Sequence, residues 1–196
     1  MKPFAEVIES SLHGFLAQTW QWDNFPSFGS LVSVTSNKRT HLAIVHQIKT
    51  GSMDPIRYPF PYQKTEEELL AEQPQIFEFL KTTFSCLTIG YQEKGKLFYL
   101  IAPEPVKIHA FVEPIQPDLA KQFFYSEKYL HVLFGNSGEI FNLDELLLAL
   151  LKNQDQLGIT TPEKVNNFMQ TYSLLTGNDY RRMKLFLQRA ESTILI

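Results

Sequence analysis

At 196 residues the chain is long enough to bury a sizeable core, as one domain or as one domain with a smaller appendage. Its 44% hydrophobic and 20% charged residues exclude a disordered polymer. The net charge of −3 is spread evenly on either side of Ile115, which excludes a strongly basic half able to track a phosphate backbone.

The first segments alternate in the manner of strands. Ala5 and Val7 flank Glu6; Phe15, Ala17 and Thr19 alternate with Leu16, Gln18 and Trp20; Val32 and Val34 share a face. Leu42, Ile44, His46 and Ile48 then alternate with Ala43, Val45 and Gln47, and turn-like His13-Gly14, Asp23-Asn24 and Asn37-Lys38 separate the runs. Short strands at this spacing point to a small antiparallel barrel or sandwich. From Gly51 to Gln63, with Pro55, Pro59 and Pro61, the chain reads as an extended loop. Thr65 and Glu68 form a capping box for a helix, and Pro74 suits a second helical start. Strand pattern resumes at 84–89, 97–102 and 107–113.

Beyond Pro117 the pattern turns helical. Residues 118–134 read as one helix; Asn142 and Glu145 introduce another, apolar almost all round, which requires packing on several sides. Thr161-Pro162 starts a helix that Gly177 ends, and Met183, Phe186, Leu187 and Ala190 give the last helix its stripe. The expected fold is therefore α+β. A small N-terminal antiparallel β-barrel occupies 1–115, with a helical insertion at about 65–82, and an α-helical region follows over 116–196.

Few patterns carry chemistry. Gly90 to Lys96 has the spacing of a phosphate-binding loop, but Leu97 stands where a magnesium-binding Ser or Thr is required, and a strand follows where a helix should open. A hairpin turn at 93–96 fits better. The single cysteine, Cys86, excludes an intrachain disulfide and reads as a small core residue. His41 and His46, an odd number apart, fall on opposite strand faces, and His13, His109 and His131 lack a nearby second ligand. No metal site, no cofactor and no enzyme activity is expected. Glu66–Glu68 reads as a solvated first helical turn rather than as acid–base groups. Trp20 and Trp22, placed on one strand face near Phe25 and Phe28, read as packing rather than as a base-stacking platform. Arg181, Arg182, Lys184 and Arg189 make the last helix basic, which is the usual outer helix face or, alternatively, a nucleic-acid contact.

A resemblance emerges from several stretches taken together: Ala5 to Ser10, Phe28 to Val32, Ala43 to Val45, Thr50 to Pro59 and Pro103 to Ala110. Together they resemble the HAS-barrel domain, which HerA-type DNA translocases share with the catalytic subunits of rotary ATP synthases. The likeness covers roughly the first three-fifths of the chain and rests on short, mostly structural motifs. It implies a barrel without a catalytic centre that packs into rings or offers a surface to a partner. The chain departs from the translocases because residues 118–196 offer only helices, too short for an ATPase core.

The expected function is a non-enzymatic assembly or adaptor protein, a homo-oligomer or one docked onto a partner protein, possibly a HerA-type ATPase. The alternative is a nucleic-acid-binding or -processing accessory factor. The segment chosen for a partner or ligand is Thr50, Gly51, Ser52, Asp54 and Arg57, a loop on a rigid scaffold; Arg57 itself reads first as a structural ion-pair partner that holds the loop, and second as a contact to a carboxylate or phosphate. Glu6 and Glu9 break the N-terminal apolar residues, so no secretory leader is read there, and the longest strongly apolar stretch is far below the ~20 residues that span a bilayer. A cytoplasmic protein with no membrane partner is expected.

Overall fold

The computed structural model describes residues 2–54, 56 and 59–193. Seven strands form: β1 (Ala5–Ser10), β2 (Gly14–Thr19), β3 (Leu31–Ser36), β4 (Arg39–Ser52), β5 (Leu80–Glu93), β6 (Lys96–Phe98) and β7 (Phe111–Pro114). The pairing runs β2-β1-β7-β3-β4-β5, and β5 returns to β2, so six antiparallel strands close into a barrel with β6 appended to β5. Closure removes the sheet edges that an open antiparallel sheet exposes.

The predicted alternation fills the barrel. Ala5, Val7, Phe15, Ala17, Val32, Val34, Ala43, Val45, Phe84, Cys86 and Val112 pack together inside it. Most are small, as a narrow interior requires. Cys86 is buried there, and burial pushes its thiol pKa well up, away from nucleophilic character. Two hairpins turn as read. Asn37 and Lys38 both hold positive φ (52° and 65°), as do Lys94 and Gly95 (49° and 77°), the pattern of a two-residue type I′ turn. The Gly90–Lys96 spacing is thus the end of β5 and its hairpin to β6.

The β4 alternation holds to Val45. Val45 faces Cys86 while Gln47 faces Ser85, so His46 is the extra residue of a β-bulge. A bulge shifts the side-chain alternation by one, and Ile48 consequently packs on the Ala43 and Val45 side instead of with Leu42 and Ile44.

The second half supplies α2 (Pro117–Phe123), α3 (Tyr129–Gly135), α4 (Leu143–Gln156), α5 (Pro162–Leu175) and α6 (Tyr180–Thr193); α1 (Glu66–Glu72) and a 3₁₀ helix (Pro74–Phe79) lie between β4 and β5. The caps fall where the residues placed them: Thr65, Asn142 and Thr161 each accept a hydrogen bond from the backbone three residues on, and Gly177 follows α5 at φ 68°. Leu31, Leu42, Ile44, Leu87 and Ile89, on the outer face of the barrel wall, join Phe123, Leu130, Leu133, the α4 leucines, Phe168, Tyr172 and Phe186 in one apolar cluster. The helices therefore share a core with the barrel wall. As its all-round apolar face required, α4 is buried on several sides, through Leu143, Leu146, Leu147, Leu148, Leu150 and Leu151.

Several predicted spans differ: the strand read over 84–89 runs from Leu80 to Glu93, so the helical insertion read to about 82 ends at Phe79. The helix read over 118–134 is broken between Phe123 and Tyr129, which lets Phe124 and Tyr129 pack edge-to-face at 5.3 Å, both buried. The strand read over 97–102 ends at Phe98, because Tyr99 turns to stack on Phe123 and donates its hydroxyl hydrogen bond to the Phe123 carbonyl at 2.7 Å. The strand read over 107–113 begins only at Phe111, after His109 adopts φ 68°, a left-handed conformation incompatible with a strand. The loop read from Gly51 starts later, since β4 continues to Ser52.

Candidate functional site

The residues chosen from the sequence fall on a projecting arm. The ladder between β3 and β4 ends at Ile44, and that between β2 and β5 ends at Thr83. Yet β4 and β5 continue paired with each other to Ser52 and Leu80. Residues 53–79 connect these two ends and carry α1 and the 3₁₀ helix.

Local hydrogen bonds hold the arm. Thr82 links it to the barrel: its hydroxyl meets the Thr50 hydroxyl at 2.7 Å and donates to the Trp22 carbonyl at 2.5 Å, while its own carbonyl accepts from the Thr19 hydroxyl at 3.2 Å. The Ser52 hydroxyl accepts from the Asp54 amide at 3.1 Å, and the Asp54 carboxylate accepts from the Ile56 amide at 3.0 Å, the local turns these side chains favour. Gly51 pairs with Lys81, and a Cβ there would meet nothing within 4 Å. Thr50, Gly51, Ser52 and Asp54 thus come together at the root of the arm, whereas Arg57 lies outside the described residues.

The connecting helices are held by their ends. No residue of α1 or of the 3₁₀ helix is buried. The Thr65 and Glu68 capping box is complete, Glu66–Glu68 form the first turn, and Lys64 pairs with Glu72. Trp22 stacks on Phe77 with centroids 5.6 Å apart, which ties the 3₁₀ helix to the barrel. Trp20 instead packs edge-on against Phe111, and β2 stops at Thr19, so the two tryptophans do not share a strand face.

The arm presents apolar side chains to solvent. Ile56 is 87% exposed, Phe60 71% and Phe79 58%, with Met53 and Leu70 about half exposed. Single exposed apolar residues are ordinary; here several lie on one projection. Sequence reasoning chose the polar residues at the root and missed these, because a proline-rich stretch carries no period to separate inward from outward side chains.

Other candidate groups are engaged elsewhere. Arg182 donates twice to Asp144, at 3.0 and 2.7 Å, and lies over the Tyr172 ring; Arg189 pairs with Glu145 at 2.6 Å. Two of the four cations of the last helix therefore fasten it to α4. Burial, reinforced by the Asp144 charge, pushes the Tyr172 hydroxyl up to about 12. Among the described residues no group of three His, Cys, Asp or Glu side chains is placed to hold a metal ion. No described helix is long and apolar enough to cross a membrane.

The histidines impose a pH dependence. His41 is buried and its pKa is lowered by burial first, then by the Arg39 charge, against a smaller opposing effect of Glu104; burial also lowers His46, opposed by Glu139. The unfolded chain takes these protons at the ordinary value of 6.5 while the folded chain resists them. Below that value the unfolded state binds more protons, so stability is full above it and falls on acidification. The urea midpoint is expected to drop between about pH 7 and about pH 5, less so in His41→Gln. A flat profile in the parent protein contradicts this.

No protein-family model matches the chain, and no curated protein matches it either.

Proposed function

We propose that the chain is a non-enzymatic assembly or adaptor protein whose barrel docks onto another polypeptide, with the β4–β5 arm as the contact. A barrel of the HAS type docked to an ATPase supplied in trans is one form this takes. The observation that carries the reading is the arm itself: paired ends of β4 and β5 joined through two short helices with no fully buried residue, with Ile56, Phe60 and Phe79 mostly exposed. Exposed apolar side chains gain free energy when a partner removes them from water.

Phe60→Ser with Phe79→Ser tests it. Both side chains are mostly exposed, so the fold should lose less than about 1 kcal/mol. Light scattering on the purified protein and on its complexes, followed by pull-down, should show a higher mass or a retained partner for the parent chain and neither for the double variant. A strict monomer with no partner, or an assembly indifferent to both substitutions, contradicts the reading.

A further inference from the structure

The root of the arm has an unpaired strand edge. Next to β4, the chain before β3 makes its last backbone bonds at Val45, whose carbonyl accepts from Gly29 and whose amide donates to Ser30. The His46 bulge follows, and Gln47–Ser52 then pair only with β5. Among the described residues, no backbone group lies hydrogen-bonded to the opposite edge of these six residues. Antiparallel strands direct alternate N–H and C=O pairs to each side, so this edge presents donors and acceptors to whatever approaches it.

A groove of about 480 Å³ meets the start of that edge, at His46, Gln47 and Ile48. Phe28, Ile48 and Ile140 contribute its apolar surface, Phe141 stands fully exposed at its rim, and Glu139 and Glu145 give it charge; no Lys or Arg lines it. Glu145 is paired with Arg189, whereas the Glu139 carboxylate makes no hydrogen bond or ion pair among the described residues. A second cleft of about 390 Å³ shares His46, Gln47 and Glu139, adds Glu9, and again has no Lys or Arg. The clefts at the Gln47 end of the edge are therefore apolar and acidic, and Lys49 is the one cation of the edge itself.

We propose that the β4 edge, Gln47–Ser52, takes an extended segment of a partner protein as an added strand, with an apolar side chain of that segment against Phe28 and Phe141 and a basic one against Glu139. Strand addition draws its affinity from main-chain hydrogen bonds and its selectivity from pockets for alternate side chains, and both are present here. A second copy fits poorly: in full register a two-fold pairing runs the edges antiparallel, so Ser52 of the copy, not a basic residue, comes opposite Gln47 beside Glu139. The inference rests on the docking reading and refines it: Thr50, Gly51 and Ser52 act through their backbone edge rather than through their side chains.

The test uses the full chain, immobilised, and a phage-displayed library of random twelve-residue peptides. Selected peptides should alternate apolar with Lys or Arg residues and lack proline, and a synthetic copy should slow amide hydrogen exchange within Gln47–Ser52. Glu139→Lys and Phe141→Ala should each weaken that peptide by about tenfold, while Leu174→Ala, exposed on α5, leaves it unchanged. Failure to select any peptide, selection of acidic ones, or protection confined to residues 53–79 overturns the proposal. If the parent chain nevertheless assembles and loses assembly on Phe60→Ser with Phe79→Ser, the docking reading stands and strand addition alone falls. If neither peptide binding nor assembly occurs, both fall.

Discussion

Gly14→Ala is expected to be among the most destabilising single-methyl additions in the molecule, at about 3 kcal/mol. An ideal Cβ at Gly14 lies 2.1 Å from the Cys86 carbonyl oxygen and 3.2 Å from its carbon. Both are backbone atoms of β5, so no rotamer change relieves the clash. Gly14 sits opposite Leu87 at the start of the β2–β5 ladder, and the His13 carbonyl accepts from the Thr88 amide at 2.8 Å just beyond it. Separating these backbones opens the seam that closes the barrel. Gly51→Ala is the control, because a Cβ there meets nothing within 4 Å. Urea denaturation should show a large fall in midpoint for the first and almost none for the second. Equal effects would show that β2 does not approach β5 this closely.

Phe123→Ala is expected to cost about 3–5 kcal/mol. Its ring is fully buried and meets Tyr99, Phe124 and Tyr129, with centroids between 5.0 and 5.8 Å. It also reaches β5, where a Cβ on Gly90 would lie 3.3 Å from its ring, so the glycine leaves room for it. Truncation removes this many-sided contact and leaves a void that surrounding backbone cannot fill. Since the apolar cluster joins Leu42, Ile44, Leu87 and Ile89 to the helices, the loss should lower a single unfolding transition. Far-ultraviolet circular dichroism and tryptophan fluorescence should report the same midpoint in parent and variant. Helices that melt separately, with Trp20 and Trp22 unaffected, would contradict a shared core.

Much of this architecture is legible in the sequence where a local rule decides the outcome. The alternation of Ala5 with Val7 and of Val32 with Val34 places these residues inside the barrel because strand geometry alone fixes the face. Thr65, Asn142 and Thr161 mark helix starts because capping is settled within four residues. The rest depends on distant contacts. Nothing near His46 announces a bulge, which arises from matching β4 to β5. Likewise, nothing near Tyr125 to Lys128 announces that the helix breaks to bury Phe124 and Tyr129 together.

The candidate site was legible only in outline. The sequence places a docking segment near Thr50–Asp54, and the structure puts these residues at the root of an arm, but their side chains are occupied in local hydrogen bonds. Ile56, Phe60 and Phe79 were out of reach because exposure depends on contacts between distant parts of the chain, which no local pattern records. Glu139 and Phe141 were out of reach because they approach β4 only through the fold of the helical layer.

Site-specific photo-crosslinking at Phe60, in cells, tests the arm most directly. A benzophenone side chain replaces Phe60, and a second protein carries it at Tyr125, which is 80% exposed but lies far along the chain among the helices. The expected result is a discrete higher-mass adduct from position 60 that disappears with Phe79→Ser, and none from position 125. No adduct at position 60, or equal adducts at both positions, would contradict docking through the arm.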